Sequence, residues 1–284
     1  MVLKCPVCGF DLMENGRSYI CQNNHNFDIS KSGYVNLLPC NQKNSKDPGD
    51  SKEMIRARDN FLKKDFYKII SDNLNEFVFK QSKKILENRA VNITETGCGS
   101  GYYLTNLKNF LSEKSANSKI NYYGLDISKH AINIASKADK NIKWIVASSY
   151  NTPFINNSQD IIINIFAPYK ILELTRILKP LGKIYFVISG KNHLNTFREI
   201  IYKDRKNEKN SDKLISDVEK SNILEVKNTI EVEHELAIDN NEDIMNLLTM
   251  TPYYWNIDSK TLDYFKSLNK ITMTIDMVIL EVEA

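Results

Sequence analysis

From Ala90 to Gly190 the apolar and polar positions fall into short strand-like runs separated by stretches of helical period. "AVNIT" reads as a strand, and "GYYLTNLKNFL" places Tyr103, Leu104, Leu107 and Leu111 along one side of a helix. "INYYGLDIS" is a second strand, "AINIASKA" a helix, "IKWIVAS" a third strand and "DIIINIFAP" a fourth; "YKILELTRIL" then gives a helix and "GKIYFVISG" a fifth strand. Strands and helices alternating at this length predict an α/β fold built on a doubly wound, mainly parallel sheet. Upstream, Met54, Ile55, Phe61, Leu62, Phe66 and Ile69 predict one amphipathic helix, with Asp50 and Glu53 at capping-box spacing over its start. Downstream, "TIEVEHELAI" and "TMTIDMVILEVE" read as strands that complete a seven-stranded sheet with an antiparallel edge hairpin. "NEDIMNLLTMTPYYW" reads as a helix broken before Pro252, and "DRKNEKNSDK" as a charged surface loop.

The N-terminus follows a different logic. Cys5, Cys8, Cys21 and His25 form C-x2-C-x12-C-x3-H, two close pairs separated by a twelve-residue excursion. A tight turn within each pair aims two donors at one point, so each pair supplies one edge of a zinc tetrahedron. Four protein ligands close the coordination sphere and make the metal structural, folding a piece too small to hold together by burial alone. Gly9 follows the first pair, and "RSYIC" alternates like a strand leading into the second, the layout of a zinc ribbon. Cys40 lies outside the pattern. The predicted organisation is a zinc-binding domain over 1–39, a linker and connecting helix over 40–70, and the α/β domain over 71–284.

Composition narrows the class further. Of 284 residues, 42% are hydrophobic and 26% charged, which matches a soluble globular chain. Neither a transmembrane run nor a secretory leader is recognisable, so a cytoplasmic protein is expected. The net charge of +3 is unevenly spread. Residues 1–90 carry 15 Lys and Arg against 11 Asp and Glu, which places any electrostatic footprint for nucleic acid in the first third.

The glycine turn "ETGCGSGYY" lies between a strand and a helix, where Gly97, Gly99 and Gly101 let backbone approach a ligand closely; no Walker lysine follows. Asp126 ends the next strand, 25 residues beyond Gly101, where a carboxylate can accept both hydroxyls of a ribose. Dinucleotide dehydrogenases and methyltransferases share this opening. With "LKPLGK" before the fifth strand, the assembly resembles a class I S-adenosylmethionine-dependent methyltransferase, whose fifth strand commonly follows Lys-Pro-Gly-Gly; here Leu181 replaces the first glycine. The resemblance implies that Glu95 and the glycine turn, Gly97, Cys98, Gly99 and Gly101, border the methionine part of the cofactor, with Tyr102 also in the cofactor-binding set. It implies that Asp126 holds the ribose, with Ile127 also in the cofactor-binding set, that Ala147 and Ser148 edge the adenine, and that Asn164 to Pro168 lie nearest the methyl group.

Taken together, the metal cluster, "FDISKSGYVNLLP", "DPGDSKEM", "GCGSGYY", "LDISKHAI", "VASS" and "MTPYYW" resemble the RlmA-type 23S rRNA guanine-N1 methyltransferases over nearly the whole chain. That resemblance implies methylation of guanine N1 in a 23S rRNA hairpin near the peptide exit tunnel, and a homodimer. N1 is buried in a Watson–Crick pair, so the target must be unpaired or flipped, which calls for an aromatic wall; Tyr102, Tyr103 and Phe166 are candidates. His193, just past the fifth strand, is a candidate for handling the N1 proton, and Asn164 and Pro168 are the other candidate catalytic residues. The zinc domain is read as an RNA-gripping element. Three rivals stand beside this reading: a small-molecule methyltransferase, a catalytically inactive zinc-dependent RNA-binding factor, and a nicotinamide oxidoreductase.

Overall fold

The computed structural model describes residues 2–42, 48–88, 90–114, 119–202 and 210–284. Its central sheet is formed by β4 (Tyr34–Asn36), β5 (Val91–Thr96), β6 (Ile120–Asp126), β7 (Lys143–Val146), β8 (Gln159–Ile165), β9 (Leu178–Ser189), β10 (Glu225–Ile238) and β11 (Ile271–Glu283). The order across the sheet is β10-β11-β9-β8-β5-β6-β7-β4. All neighbours are parallel except β11, which runs antiparallel to both β9 and β10. The antiparallel pair expected at this edge is therefore present, although its strands are joined by a helical connection over 239–270 and not by a hairpin turn. The order reverses at β5, between β6 on one side and β8 on the other, and a ligand crevice is expected beyond the carboxyl ends of those strands.

The sheet has eight strands where seven were expected. The extra one, β4, comes from "YVN" in the N-terminal segment and pairs with β7 through Tyr34–Trp144, Val35–Ile145 and Asn36–Val146. The N-terminal segment thus enters the main sheet before residue 39, the expected end of the zinc domain. The remaining N-terminal strands, β1 (Leu12–Asn15), β2 (Ser18–Cys21) and β3 (Asn26–Asp28), form a separate antiparallel ribbon.

One face of the sheet is covered by α1 (Lys52–Lys63), α2 (Lys68–Asn88), α3 (Tyr102–Lys114), α4 (Lys129–Ala138) and the later helices α6 (Asn195–Tyr202), α8 (Asn241–Thr249) and α9 (Ser259–Ser267). The other face carries α5 (Ile171–Ile177) and α7 (Asn210–Ser221), which bury Leu174, Ile177, Leu214 and Val218. No helix occurs in the β7–β8 connection over 147–158. The place such a helix would fill is taken by the zinc ribbon. Leu3, Leu12 and Tyr19 join Tyr123, Leu125, Ile145 and Phe154 in one buried cluster. Backbone pairing fastens the ribbon there: the Lys4 amide donates to the Pro153 carbonyl at 2.8 Å, and the Ile155 amide to the Val2 carbonyl at 3.0 Å.

Three local expectations are revised. The single helix through Ile69 is two, because Asp65 adopts a left-handed φ of 61° between α1 and α2. Ser51, not Asp50, caps α1, accepting from the Met54 amide at 3.1 Å; Asp50 instead pairs with Arg58 at 2.5 Å. The charged loop expected over 204–213 is helical from Asn210, while residues 203–209 lie outside the described residues. The helix ending before Pro252 is observed as expected.

Candidate active site and metal centre

The metal centre is built by two tight turns. Gly9, at φ 79°, and Asn24, at φ 61°, take left-handed conformations just after the first cysteine pair and just before His25. Their amides donate back to the carbonyls of Cys5 and Cys21, both at 2.9 Å. Cys5, Cys8, Cys21 and His25 consequently present donor atoms that all lie within 4.8 Å of one another. The Cys8 and Cys21 sulfurs are 3.6 Å apart, and the His25 Nδ1 lies 3.4 Å from Cys21 Sγ and 3.6 Å from Cys5 Sγ. A zinc tetrahedron with ordinary bond lengths has S···S edges of about 3.8 Å and S···N edges of about 3.5 Å. The donor set fits zinc closely in both chemistry and spacing, with His25 coordinating through Nδ1.

The candidate cofactor groove opens at the switch point. Gly97, Gly99 and Gly101 all have positive φ, yet their surroundings differ. A methyl group at Gly97 would collide with Ala167, and one at Gly101 with the buried Trp144 ring, so packing alone requires these two glycines. At Gly99 nothing lies within 4 Å of that position. Here the loop leaves open space, and its amide donates to Asp126 Oδ2 at 2.9 Å, tying the turn to the carboxylate at the end of β6. Asp126 Oδ1 accepts from the Ser128 amide at 2.8 Å. Burial raises the Asp126 pKa, and the two amides oppose that rise.

Glu95 is fully buried and its Oε2 accepts from the Leu104 amide in the first turn of α3 at 3.0 Å, which fixes the helix against the strand; burial pushes its pKa well up. Cys98 is buried with its thiol pKa raised by burial, and its sulfur lies on the core side of the turn towards Gly124. Only its backbone can border a ligand. Tyr102 is half-buried and donates to Asp65 at 3.3 Å. Ile127 packs under the Pro48–Asp50 strap, where a methyl on Gly49 would sit 3.1 Å from it. Ala147 is buried at the end of β7, and the Ser148 hydroxyl accepts from the Tyr150 amide at 3.2 Å.

At the end of β8, Asn164 is 1% exposed and its amide nitrogen donates to Thr96 Oγ1 at 3.0 Å and to the Pro168 carbonyl at 3.5 Å. Asn164 and Pro168 therefore brace the strand exit, and that amide nitrogen is directed at β5 and the loop. His193 does not stand free in a loop either. Its Nδ1 accepts from the Asp276 amide at 3.4 Å, and burial, with Arg198 nearby, lowers its pKa to about 3. A neutral imidazole with Nδ1 engaged carries its proton on Nε2, which does not suit it to accept the N1 proton near neutral pH.

Two features escaped sequence reasoning. The hydroxyls of Tyr67 and Tyr103 are buried without a hydrogen-bond partner among the described residues. Arg58, held by Asp50 and by the Met250 carbonyl at 3.0 Å, lies close enough to act electrostatically on Tyr67, Tyr103 and Asp126. Buried hydroxyls of this kind normally find partners. Tyr67 in particular carried no signal beyond its place in a helix-period stretch.

A doubly wound sheet with this strand order, a glycine turn open at Gly99 and a strand-end Asp126 that accepts from that turn fit a class I S-adenosylmethionine-dependent methyltransferase, here carrying a structural zinc ribbon. Residues 94–186 match the methyltransferase-domain family, and residues 3–46 match the family described as "RlmA, N-terminal". The chain is 28% identical over 282 residues to the "Putative 23S rRNA (guanine-N(1)-)-methyltransferase YxjB" of Bacillus subtilis (strain 168), covering 98% of this chain and 96% of that one. It is 24% identical over 286 residues to the 23S rRNA (guanine(748)-N(1))-methyltransferase of Streptomyces fradiae, covering 98% and 95%. Among solved structures, the YcgJ protein of Bacillus subtilis superposes with a TM-score of 0.46 at 17% identity, over 70% of this chain and 94% of that one. No helix among the described residues is long and apolar enough to cross a membrane.

Proposed function

We propose that this protein methylates N1 of a guanine in a hairpin of 23S rRNA near the peptide exit tunnel, using S-adenosylmethionine. The observation that carries the reading is the joining of an RlmA-type zinc ribbon to the methyltransferase sheet through a shared core, in a chain whose relatives align end to end and bear that activity in their names. When bound, S-adenosylmethionine supplies an electrophilic sulfonium methyl and a good leaving group. The chain's own task is then alignment and exclusion of water. In this reading Gly99, Asp126, Ile127, Ala147 and Ser148 line the adenosine side.

Guanine N1 carries a proton in the neutral base and is enclosed in a base pair, so the base leaves the helix to react and N1 loses its proton before or during transfer. The zinc ribbon grips RNA by backbone shape and phosphate contacts, since so small a module cannot read a long sequence. The same reading carries a cytoplasmic homodimer whose two ribbons hold opposite sides of one hairpin.

The test is to incubate the protein and S-adenosylmethionine with unmodified 23S rRNA and map reverse-transcription stops, because an N1 methyl on guanine blocks pairing. A single new stop in the exit-tunnel hairpin is expected. No stop anywhere, with cofactor binding demonstrated by titration, would move the assignment to a small-molecule methyltransferase.

A further inference from the structure

Phe166 stands out among the residues at the carboxyl ends of the strands. It has a φ of 48°, a left-handed conformation that side chains with a Cβ rarely adopt, and the residue is 45% exposed. The backbone is held in that state by its amide, which donates to the Val187 carbonyl at 3.0 Å. The next residue, Ala167, packs on Gly97, which places Phe166 next in chain to a residue in contact with the glycine turn.

Facing it is His193. The two rings are within 7° of parallel with centroids 6.2 Å apart. Rings in stacked contact in this molecule lie closer, as Phe61 and Phe66 do at 4.6 Å. A planar base clasped between two rings needs about 6.8 Å, twice the ~3.4 Å stacking rise of nucleic-acid bases; the ring planes here are at most the 6.2 Å of their centroids apart, so the rings must part for a base to enter. His193 is firmly set. Tyr67 meets it edge-on at 6.2 Å, and Asp276 clamps its loop, taking the Asn192 amide on Oδ2 at 2.7 Å and the Gly190 amide on its carbonyl at 2.7 Å. Gly190 has to be glycine, because any Cβ there would run into the Asp276 carboxylate.

We propose that Phe166 and His193 form an aromatic jaw that takes the flipped target base between their rings. This rests on the rRNA methyltransferase reading and adds to it the site where the base is held. His193 acts there as a ring face, and the jaw supplies affinity and orientation for a purine while contacts to the base edges select guanine. The neutral state of the imidazole suits this role, since an unprotonated ring avoids the desolvation cost of a cation when a base covers it.

The experiment uses the full-length zinc-loaded protein and a hairpin RNA in two forms, one natural and one with 2-aminopurine at the methylated position. Methylation of the natural hairpin by the wild type is measured first, and its absence would remove the rRNA reading itself. With that activity in hand, Phe166→Leu and His193→Leu should each lower kcat/KM for RNA by about 10- to 100-fold, given stacking worth roughly 1–3 kcal/mol per base. The affinity for S-adenosylhomocysteine should stay within about twofold, as expected when the lost contact is base stacking. Phe166→Tyr and His193→Phe should retain methylation, and wild-type protein should quench 2-aminopurine on binding. Full activity of Phe166→Leu would overturn the jaw. So would His193→Phe failing as badly as His193→Leu, an equal loss of cofactor affinity in the leucine variants, or the absence of quenching in the wild type, which requires no variant to fold.

Discussion

The ribbon and the sheet are both β-structure, yet they are held by different forces. In the sheet, β8 is buried along its whole length, and Ile161 and Ile163 face one cluster while Ile162 faces the other. Such a strand persists because apolar area leaves water on both sides. In the ribbon, Leu12 is the one buried residue of β1, and Val7, Phe10 and Met13 are exposed. Its cohesion comes from the ion at one end and from the sheet it covers at the other. A small module is therefore not an independent one: it is held by four ligand bonds and a borrowed core.

The strongest way to break that contrast is Cys8→Ser. Zinc binding by small modules is worth about 10 kcal/mol or more and is folding free energy for them. The variant should hold no zinc by elemental analysis and should become protease-sensitive through residue 30. Because Leu12 and Tyr19 cover Ile145 and Phe154, the melting temperature of the whole chain should fall as well. Full zinc occupancy, or a ribbon that stays protected without it, would show that burial alone holds it.

The second comparison lies within the glycine turn. Gly97→Ala forces a methyl into Ala167 and should destabilise the fold by about 1–3 kcal/mol. Gly99→Ala meets open space, so it should leave the melt within about 1 kcal/mol of wild type while weakening S-adenosylhomocysteine binding tenfold or more. Equal effects of the two substitutions on thermal melts and on cofactor titrations would erase the distinction between packing glycine and ligand-facing glycine.

The smallest effect sits at Leu181, 83% exposed at φ 63° in the bulge where β9 begins. Leu181→Gly relieves left-handed strain but loosens the unfolded chain, leaving a gain of about 0.5 kcal/mol in chemical denaturation. A loss instead would mean that the leucine side chain supports this end of β9.

What could be read in advance follows from how local each signal is. The metal ligands lie within 21 residues and announce themselves by spacing, and the glycine turn and Asp126 sit at strand ends that hydrophobic runs mark out. The strand β4 was hidden because "YVN" is three residues long and its partner is β7, far along the chain. The division between α1 and α2 rests on Asp65, in a stretch with no glycine or proline to mark it. His193 could be placed beside the site but not understood there, because its partners Asp276, Tyr67 and Phe166 come from three distant segments.

The pairing of β4 with β7 also orders events as the chain is made. Once Asn36 has left the ribosome the ribbon can close around its ion, but the strand it must dock beside emerges more than a hundred residues later. Through that interval the exposed face of Leu12 and Tyr19 has no sheet to cover. Zinc then acts as a timekeeper in synthesis, keeping an early module shaped until its partner strand arrives, and zinc scarcity should show first as nascent chains that aggregate.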